Sequence, residues 1–579
     1  MKQGRLAGVE FKVRFDRPEQ AALFILFDLL NRWFFGNEWL PMRHFTLIFI
    51  AAALACGVGC RKKEAGERAG QQAETDVLVR CHFVGTASLS NNTNATKLKE
   101  LWSLPETQRL AEQTLRKLAH APRTLYGEQV TTSQDDRGAA LLRPLLDDLL
   151  RQEFFLQVRG PADKTAEWTL LAQLPDDRIK AWRANLKELM QLWGLGAPVT
   201  NTVEGFACWE VKRTAAPALV RWVEAGQWLV LCIGQNDLAA SGEAARRIRT
   251  GGRPIAAASN YWLRCELNLP RLREALDLPP AIPWPRAELT VVGQGENLRS
   301  NMRMVFPAAV TGPLEPWLVP TNIINDPLTS FTAVRGVSPL LKDCVTLQQL
   351  ELTPAPNKLF FWAQAQVVFQ SFAAFPLKDA LSKLERAGSR APSLFGTNWQ
   401  SRELTQIGWQ TNLNEVLWKG LPYITPYLQP TNFQGTEFVM GGLFPPVPRS
   451  YPPPAKLLLE LDANSNLIYY DWEITEARLS NWHIMSQLFA IIGDKPQLTT
   501  NMAALPWITA VGPKLGNTVT EVTTNSPKEW SLVRKSHVGF TGAELVALAR
   551  WLESTGFPRF SFELPPDHPL APVKPPAKP

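Results

Sequence analysis

The chain has 579 residues, 45% of them hydrophobic and 20% charged, the composition of a globular protein too long for a single hydrophobic core. Its net charge of +7 is spread over 61 Lys and Arg and 54 Asp and Glu, and no basic patch or basic helix stands out, which argues against a nucleic-acid partner. The 46 prolines and 21 tryptophans are both above ordinary usage, and the prolines predict many short elements with stiff connections.

Residues 1–41 include an apolar run, "AALFILFDLLNRWFFGNEWL", broken by Asp28, Arg32 and Glu38. It reads as an extension ahead of a true start at Met42, with an amphipathic surface helix as the alternative. Residues 42–59 begin with Met-Arg-His and continue without charge from Phe45 to Gly59. That run is shorter than the roughly 20 residues a membrane-crossing helix needs. A basic start, a short apolar stretch and then small residues are the marks of a cleaved export leader. Residues 60–75, "CRKKEAGERAGQQAET", are a polar tether.

From residue 76 the pattern is strand and helix in turn. "DVLVRCHFVG" reads as a strand, followed by a helix interrupted at Pro105. "EFFLQVRG" and "EWTLLAQL" are strands around a polar turn. The next helix opens at Pro175, carries Asp176 and Asp177 in its first turn, and sets Ile179, Trp182, Leu186, Leu189 and Trp193 on one stripe. A hairpin turning at residues 224–227 and a helix ending at Gly251-Gly252 come next. "YWLRCELNLPRLREAL" is a strand leading into a Pro-opened helix. "AELTVVGQGENLRSNMRMVF" is a hairpin whose second arm puts Leu298, Met302, Met304 and Phe306 on one face and Arg299, Asn301 and Arg303 on the other, as a sheet with one wet side requires.

The proline-rich stretch 307–327 reads as a boundary. It divides an N-terminal domain, 76–326, from a C-terminal domain, 327–563, with a proline-rich tail at 564–579. The second half repeats the vocabulary. "TSFTAVRGVSPLLKD" is strand then helix, with Ser338 as N-cap and Pro339 in the first turn. "KLFFWAQAQVVF" is a strand or hairpin arm and "LKDALSKLERA" a helix, while "ELTQIGWQTNLNEVLWKG" and "KLLLELDANSNLIYYDWEI" read as hairpins. "EARLSNWHIMSQLFAII" and "TGAELVALARWLEST" are helices, the last with a Thr541–Glu544 capping box, Gly556 after its end and Pro558 as a stop. The expected fold class is α+β: two halves, each an antiparallel sheet with helices packed on one face, which an internal duplication would explain.

Residues with chemical potential do not assemble into a catalytic motif. The histidines (His44, His82, His120, His483, His537, His568) have no metal-ligand spacing. "RGVSPL" around Ser338 lacks the second glycine of a nucleophile elbow. "GQGEN" at Gly293–Asn297 lacks the Lys and following helix of a phosphate loop and reads as a hairpin turn. Asp135-Asp136 and Asp147-Asp148 are sequence neighbours and do not face each other on a helix. Cys81, Cys208, Cys232, Cys265 and Cys344 form no CxxC; they read as buried core thiols, with room for one disulfide whose pair the spacing does not name. Trp262, Trp362, Trp409, Trp418, Trp472, Trp482 and Trp551 read as core filling, with stacking on a ligand as the alternative. "FPPVPRSYPPP" at 444–454 reads as a rigid linker, with docking into an aromatic groove as the alternative.

The stretch from Met42 to Glu64 resembles a bacterial lipoprotein signal peptide. In that family a cysteine after small residues becomes the lipidated first residue of the mature chain. The resemblance implies lipidation at Cys60, after Gly57-Val58-Gly59, with Cys56, after Ala53-Leu54-Ala55, as the alternative. The layout behind it resembles large exported bacterial proteins of unknown function, which implies a fold type and a location and transfers no active-site residue. The expectation is therefore a lipid-anchored protein facing the periplasm or exterior, with a binding or scaffolding role, an envelope protein as partner and no cofactor, metal or catalytic residue assigned. A carrier of an apolar ligand in a sheet-helix groove and an envelope hydrolase with dispersed residues are the alternatives.

Overall fold

The computed structural model describes residues 77–558 apart from short internal stretches, of which 396–405 is the longest. Residues 1–76, with Cys56 and Cys60, lie outside the described residues, as do Gly556, residues 559–579 and most of the proline-rich 444–454 segment.

The first ten strands are β1 (Val77–Phe83), β2 (Phe154–Arg159), β3 (Glu167–Gln173), β4 (Val199–Val203), β5 (Phe206–Lys212), β6 (Leu219–Ala225), β7 (Trp228–Gly234), β8 (Leu263–Asn268), β9 (Arg286–Gln294) and β10 (Asn297–Val305). The second ten are β11 (Leu328–Arg335), β12 (Lys358–Gln364), β13 (Ser371–Pro376), β14 (Gln406–Gln410), β15 (Glu415–Lys419), β16 (Tyr427–Phe433), β17 (Thr436–Gly442), β18 (Leu467–Ile474), β19 (Asn517–Ser526) and β20 (Glu529–Ser536). The helices are α1 (Thr86–Ser90), α2 (Thr96–Trp102), α3 (Pro105–Tyr126), α4 (Thr132–Arg151), α5 (Asp176–Leu192), α6 (Ala239–Gly251), α7 (Leu269–Leu272), α8 (Ser338–Leu341), α9 (Val345–Gln349), α10 (Ala380–Phe395), α11 (Ala455–Asp462), α12 (Thr475–Ile492), α13 (Ala504–Val511) and α14 (Gly542–Glu553).

The twenty strands of the described residues pair antiparallel in one sheet, in the spatial order β4-β5-β6-β7-β3-β2-β1-β8-β9-β10-β20-β19-β18-β11-β12-β13-β17-β16-β15-β14. Read from either end, the order is the same: each strand of the first ten holds the place of the strand ten numbers later. The helices repeat as well. Helix α5 links β3 to β4 as α10 links β13 to β14, and α6 links β7 to β8 as α11 links β17 to β18. The halves join edge to edge at β10 and β20. Asn301 faces Val533 at the centre, and the flanking pairs Leu298↔Ser536 and Met304↔Trp530 mirror each other about it. The joint satisfies two rows of backbone N–H and C=O groups that would otherwise be open edges.

One face of the sheet carries most helices. Helices α4 and α5 pack there on Trp209, Trp222 and Leu229. Helices α8 to α10 pack on Leu359, Phe375 and Val439. The middle of that face holds Cys81, Leu156, Cys265, Leu289, Met302, Met304, Phe306 and Trp530, and α3, α13 and α14 close a further cluster around Leu110, Trp507 and Leu545. Among the described residues, the opposite face is covered only at its flanks. Helix α6 lies over Phe155, Leu171, Val223 and Val230. Helix α11 and the segment around Val319 and Ile324 lie over Phe331, Phe360, Trp362 and Tyr470.

Two local expectations are corrected. Residues 455–462, read as the first arm of a hairpin, form α11 after Pro454. Leu457 and Leu461, four apart on one side of it, are buried in the α11-side core, so the "LLLEL" run follows a helical period. Ser338 is not the cap of α8: Val337 holds that place and no side chain caps the helix. Asn357 Oδ1 instead accepts the Ser338 N–H at 3.3 Å. The capping box of α14 is present in both directions, and Gly252 ends α6 in the left-handed region at φ 71°, where a residue without Cβ is unstrained.

Candidate functional site

The uncovered middle of the second face is built by strand alternation. On β1 Arg80 and His82 point there, on β8 Arg264 and Glu266, on β9 Glu288 and Thr290, on β10 Arg299, Asn301 and Arg303, on β20 Ser531, Val533 and Lys535, and on β19 Val519, Glu521 and Thr523. Their neighbours along each strand are the apolar residues of the helix-covered face. Six strands at about 4.8 Å spacing make a floor roughly 24 Å wide, with α6 and α11 rising at its two sides. The expected wet side of β10 is therefore real, and it extends across both halves.

The charges on this floor are mostly paired. Arg80 meets Glu266 at 3.1 Å, Arg264 meets Glu288 at 2.7 Å, and Arg303 meets Glu529 at 2.9 Å. Arg299 and Lys535 depart from that pattern. They are cross-strand partners beside the central Asn301–Val533 pair, both are exposed, and neither has an ion-pair partner among the described residues. Like charges directly opposite in a sheet repel, so the free protein carries a small electrostatic cost here that an anionic group relieves.

A buried histidine stands at one margin of the floor. His82 stacks on Phe155 with centroids 4.0 Å apart. Its Nε2 lies 2.8 Å from Glu153 Oε1 and its Nδ1 lies 3.2 Å from the Tyr261 hydroxyl; Arg253 also donates to Glu153. In the tautomer protonated at Nε2, Tyr261 donates to His82 and His82 donates to Glu153. Both ring nitrogens are engaged, which ties β1 to the start of β2 and to the approach to β8.

The other polar cluster lies on the helix-covered face, between β18–β20 and α14. Asp471, Thr520 and Arg534 are consecutive partners across β18, β19 and β20. Thr332 donates to Asp471 at 2.6 Å, and Arg534 donates to Thr520 at 2.9 Å and to Glu544 at 2.7 and 3.2 Å. Burial works against the Arg534 charge and Glu544 more than restores it. Gly542 N–H donates to Glu473 at 2.7 Å. Burial, then Asp471, push the Glu473 carboxyl up to about 7. These groups line a cavity of about 10 Å³, the size of one water and too small for an apolar ligand.

The other sequence candidates are dispersed. Asp148 accepts from Trp182 at 2.8 Å and from Arg178, and Asp135 meets His120 at 3.2 Å. His483 is half-buried in α12, and burial, then Arg550, depress its basicity. Gly293–Asn297 is the β9–β10 turn. Trp262, Trp362, Trp418 and Trp551 are buried, while Trp409, Trp472 and Trp482 are partly buried against the cores, so all seven fill cores. Cys81, Cys208, Cys232 and Cys265 are buried thiols. Among the described residues no group of three or more His, Cys, Asp or Glu is placed to hold a metal, and no helix is long and apolar enough to cross a membrane.

No protein-family model matches the sequence, and no curated protein matches it. Among solved structures, crystal form IV of TP0453, a Treponema lipoprotein, aligns at 8% identity over 40% of this chain and 76% of that chain, with a TM-score of 0.22. Crystal form I gives 8% identity, 40% and 74% coverage and the same TM-score of 0.22.

Proposed function

We propose that the chain is an exported envelope protein, held to a membrane by lipid on Cys60 (Cys56 in second place), and that it acts as a binding scaffold. Its partner is a protein segment with acidic side chains that docks on the bare floor between α6 and α11. The observation that carries the binding role is the Arg299–Lys535 pair, two exposed and unneutralised cations side by side at the centre of an uncovered sheet face. Flanking helices make that face a recess, which suits a polypeptide segment better than a flat bilayer. The leader-like pattern of residues 42–59 and the cysteine that follows it support the anchor. Each acyl CH₂ buried in lipid contributes about 0.8 kcal/mol, so two or three chains hold firmly.

The test places a photo-crosslinking residue at Asn301 in cells, with Leu459, exposed on α11, as the control site. An adduct to a protein at 301 that disappears in R299E/K535E supports the reading. Adducts to lipid alone, or no excess over position 459, refute it. The mass of the native N-terminal peptide tests the anchor separately: diacylglyceryl on Cys60 is expected, and an unmodified chain starting at Met1 refutes it.

A further inference from the structure

We infer that Cys81 and Cys265 form a disulfide across β1 and β8 when the chain matures in an oxidising compartment. The two cysteines are direct partners in the register of that strand pair. The phase of the ladder decides how close they come. Val84 N–H donates to Trp262 O at 3.1 Å, which makes Val84 and Trp262 a hydrogen-bonded pair. Pairs alternate along an antiparallel ladder, so Cys81 and Cys265 fall on a non-hydrogen-bonded site. At such sites the Cα atoms stand about 4.5 Å apart with the side chains converging, inside the roughly 4.4–6.8 Å that a disulfide spans.

Both side chains enter the same core on the helix-covered face, at 2% and 0% exposure. The other buried cysteines have no such partner: Cys208 faces Val223, and Cys232 faces Thr169 and Arg221. Low exposure means the bond forms while the sheet is still closing. The oxidant is a disulfide donor of the compartment. The Cys81 thiolate attacks the donor disulfide and expels one donor thiolate. The Cys265 thiolate then attacks the Cys81 sulfur of the mixed disulfide and expels the second. The two thiol protons pass to the two expelled donor thiolates, the protein loses two electrons, and the donor takes them up and is left as two thiols.

The inference depends on the export reading only for its oxidant. The full chain is made behind an added periplasmic leader, made in a reducing cytosol as control, and also taken from its native membranes. Each sample is alkylated without reduction, digested and mapped by mass spectrometry. The expected result is a Cys81–Cys265 linked peptide in the periplasmic and native samples, with Cys208, Cys232 and Cys344 alkylated. Alkylation of both Cys81 and Cys265 in the periplasmic sample overturns the pairing. Linkage there, with free thiols at both positions in the native protein, upholds the pairing and overturns the export reading instead.

Discussion

Glu473 should make stability depend on pH in the neutral range. It is 4% exposed near the end of β18, and its Oε1 accepts the Gly542 N–H that opens α14. Burial first, and Asp471 second, raise its carboxyl from 4.5 to about 7; Arg478 and the Gly542 N–H pull the other way without restoring it. The folded chain thus keeps a proton that the unfolded chain releases near pH 4.5. The stabilisation is full below that pH and is lost as pH rises through about 7. A difference of about 2.5 in pKa corresponds to ~3 kcal/mol across that window. Glu473→Gln keeps the shape and the acceptor for Gly542 but does not titrate. Urea unfolding from about pH 4 to pH 8 should show the parent losing ~3 kcal/mol relative to the variant, with the variant the more stable at the alkaline end. Parallel pH profiles for the two proteins would refute the assignment.

Other substitutions in the same region give distinct outcomes. Gly542→Ala would place a Cβ 2.5 Å from the Leu479 backbone nitrogen, so it should destabilise by about 1–3 kcal/mol or more in thermal unfolding; an unchanged melting temperature would contradict the close approach. Arg534→Met leaves Glu544, 2% exposed, without its cation and should cost ~3–5 kcal/mol, most of it regained in R534M/E544Q; equal losses in single and double variants would show the ion pair is not what matters. Thr541→Ala removes the side chain that accepts the Glu544 N–H and should cost ~1 kcal/mol, read as faster amide exchange in the first turn of α14. Trp182→Phe removes the 2.8 Å donor to Asp148 and should cost about 1.5–3 kcal/mol in urea unfolding.

Elements with one clear period were legible in the sequence. The stripe from Ile179 to Leu189 became α5, buried on that stripe, and the Leu298–Met304 alternation became β10 with its wet side outward. Elements with a mixed signal were not. "KLLLELD" carries apolar residues at both periods, and only the packing of Leu457 and Leu461 settles it as helix. The β19–β20 hairpin passed unread because its inward positions include Thr518, Thr520, Arg534 and Ser536, all buried polar residues. Their polarity is matched by Thr332, Asp471 and Glu544 on other elements, which no local pattern reveals. The floor was half legible for the same reason. Arg299 stands out on β10, but its partner Lys535 lies on the unread strand, and their juxtaposition depends on a pairing between residues more than two hundred positions apart.

The doubled strand order explains why a bare recess exists at the joint. Within each half, the helix between the seventh and eighth strands crosses one face and covers the strands beside it. In the first half that helix stays on β3, β4, β6 and β7, and in the second the cover reaches in as far as Tyr470 on β18, so each half has an uncovered margin beside the joint, the wider one in the first half. Joining the halves at β10 and β20 removes the exposed edges and fuses two narrow margins into one wide floor. The opposite face behaves differently, because there the fused margins carry Met302, Met304, Leu532 and Trp530, which pack into a shared core. A single half would have neither the wide floor nor the Arg299–Lys535 pair, which draws one cation from each. The surface best suited to a partner is thus a product of the joint itself, and a substitution that loosened β10 from β20 would abolish it even with every residue on it unchanged.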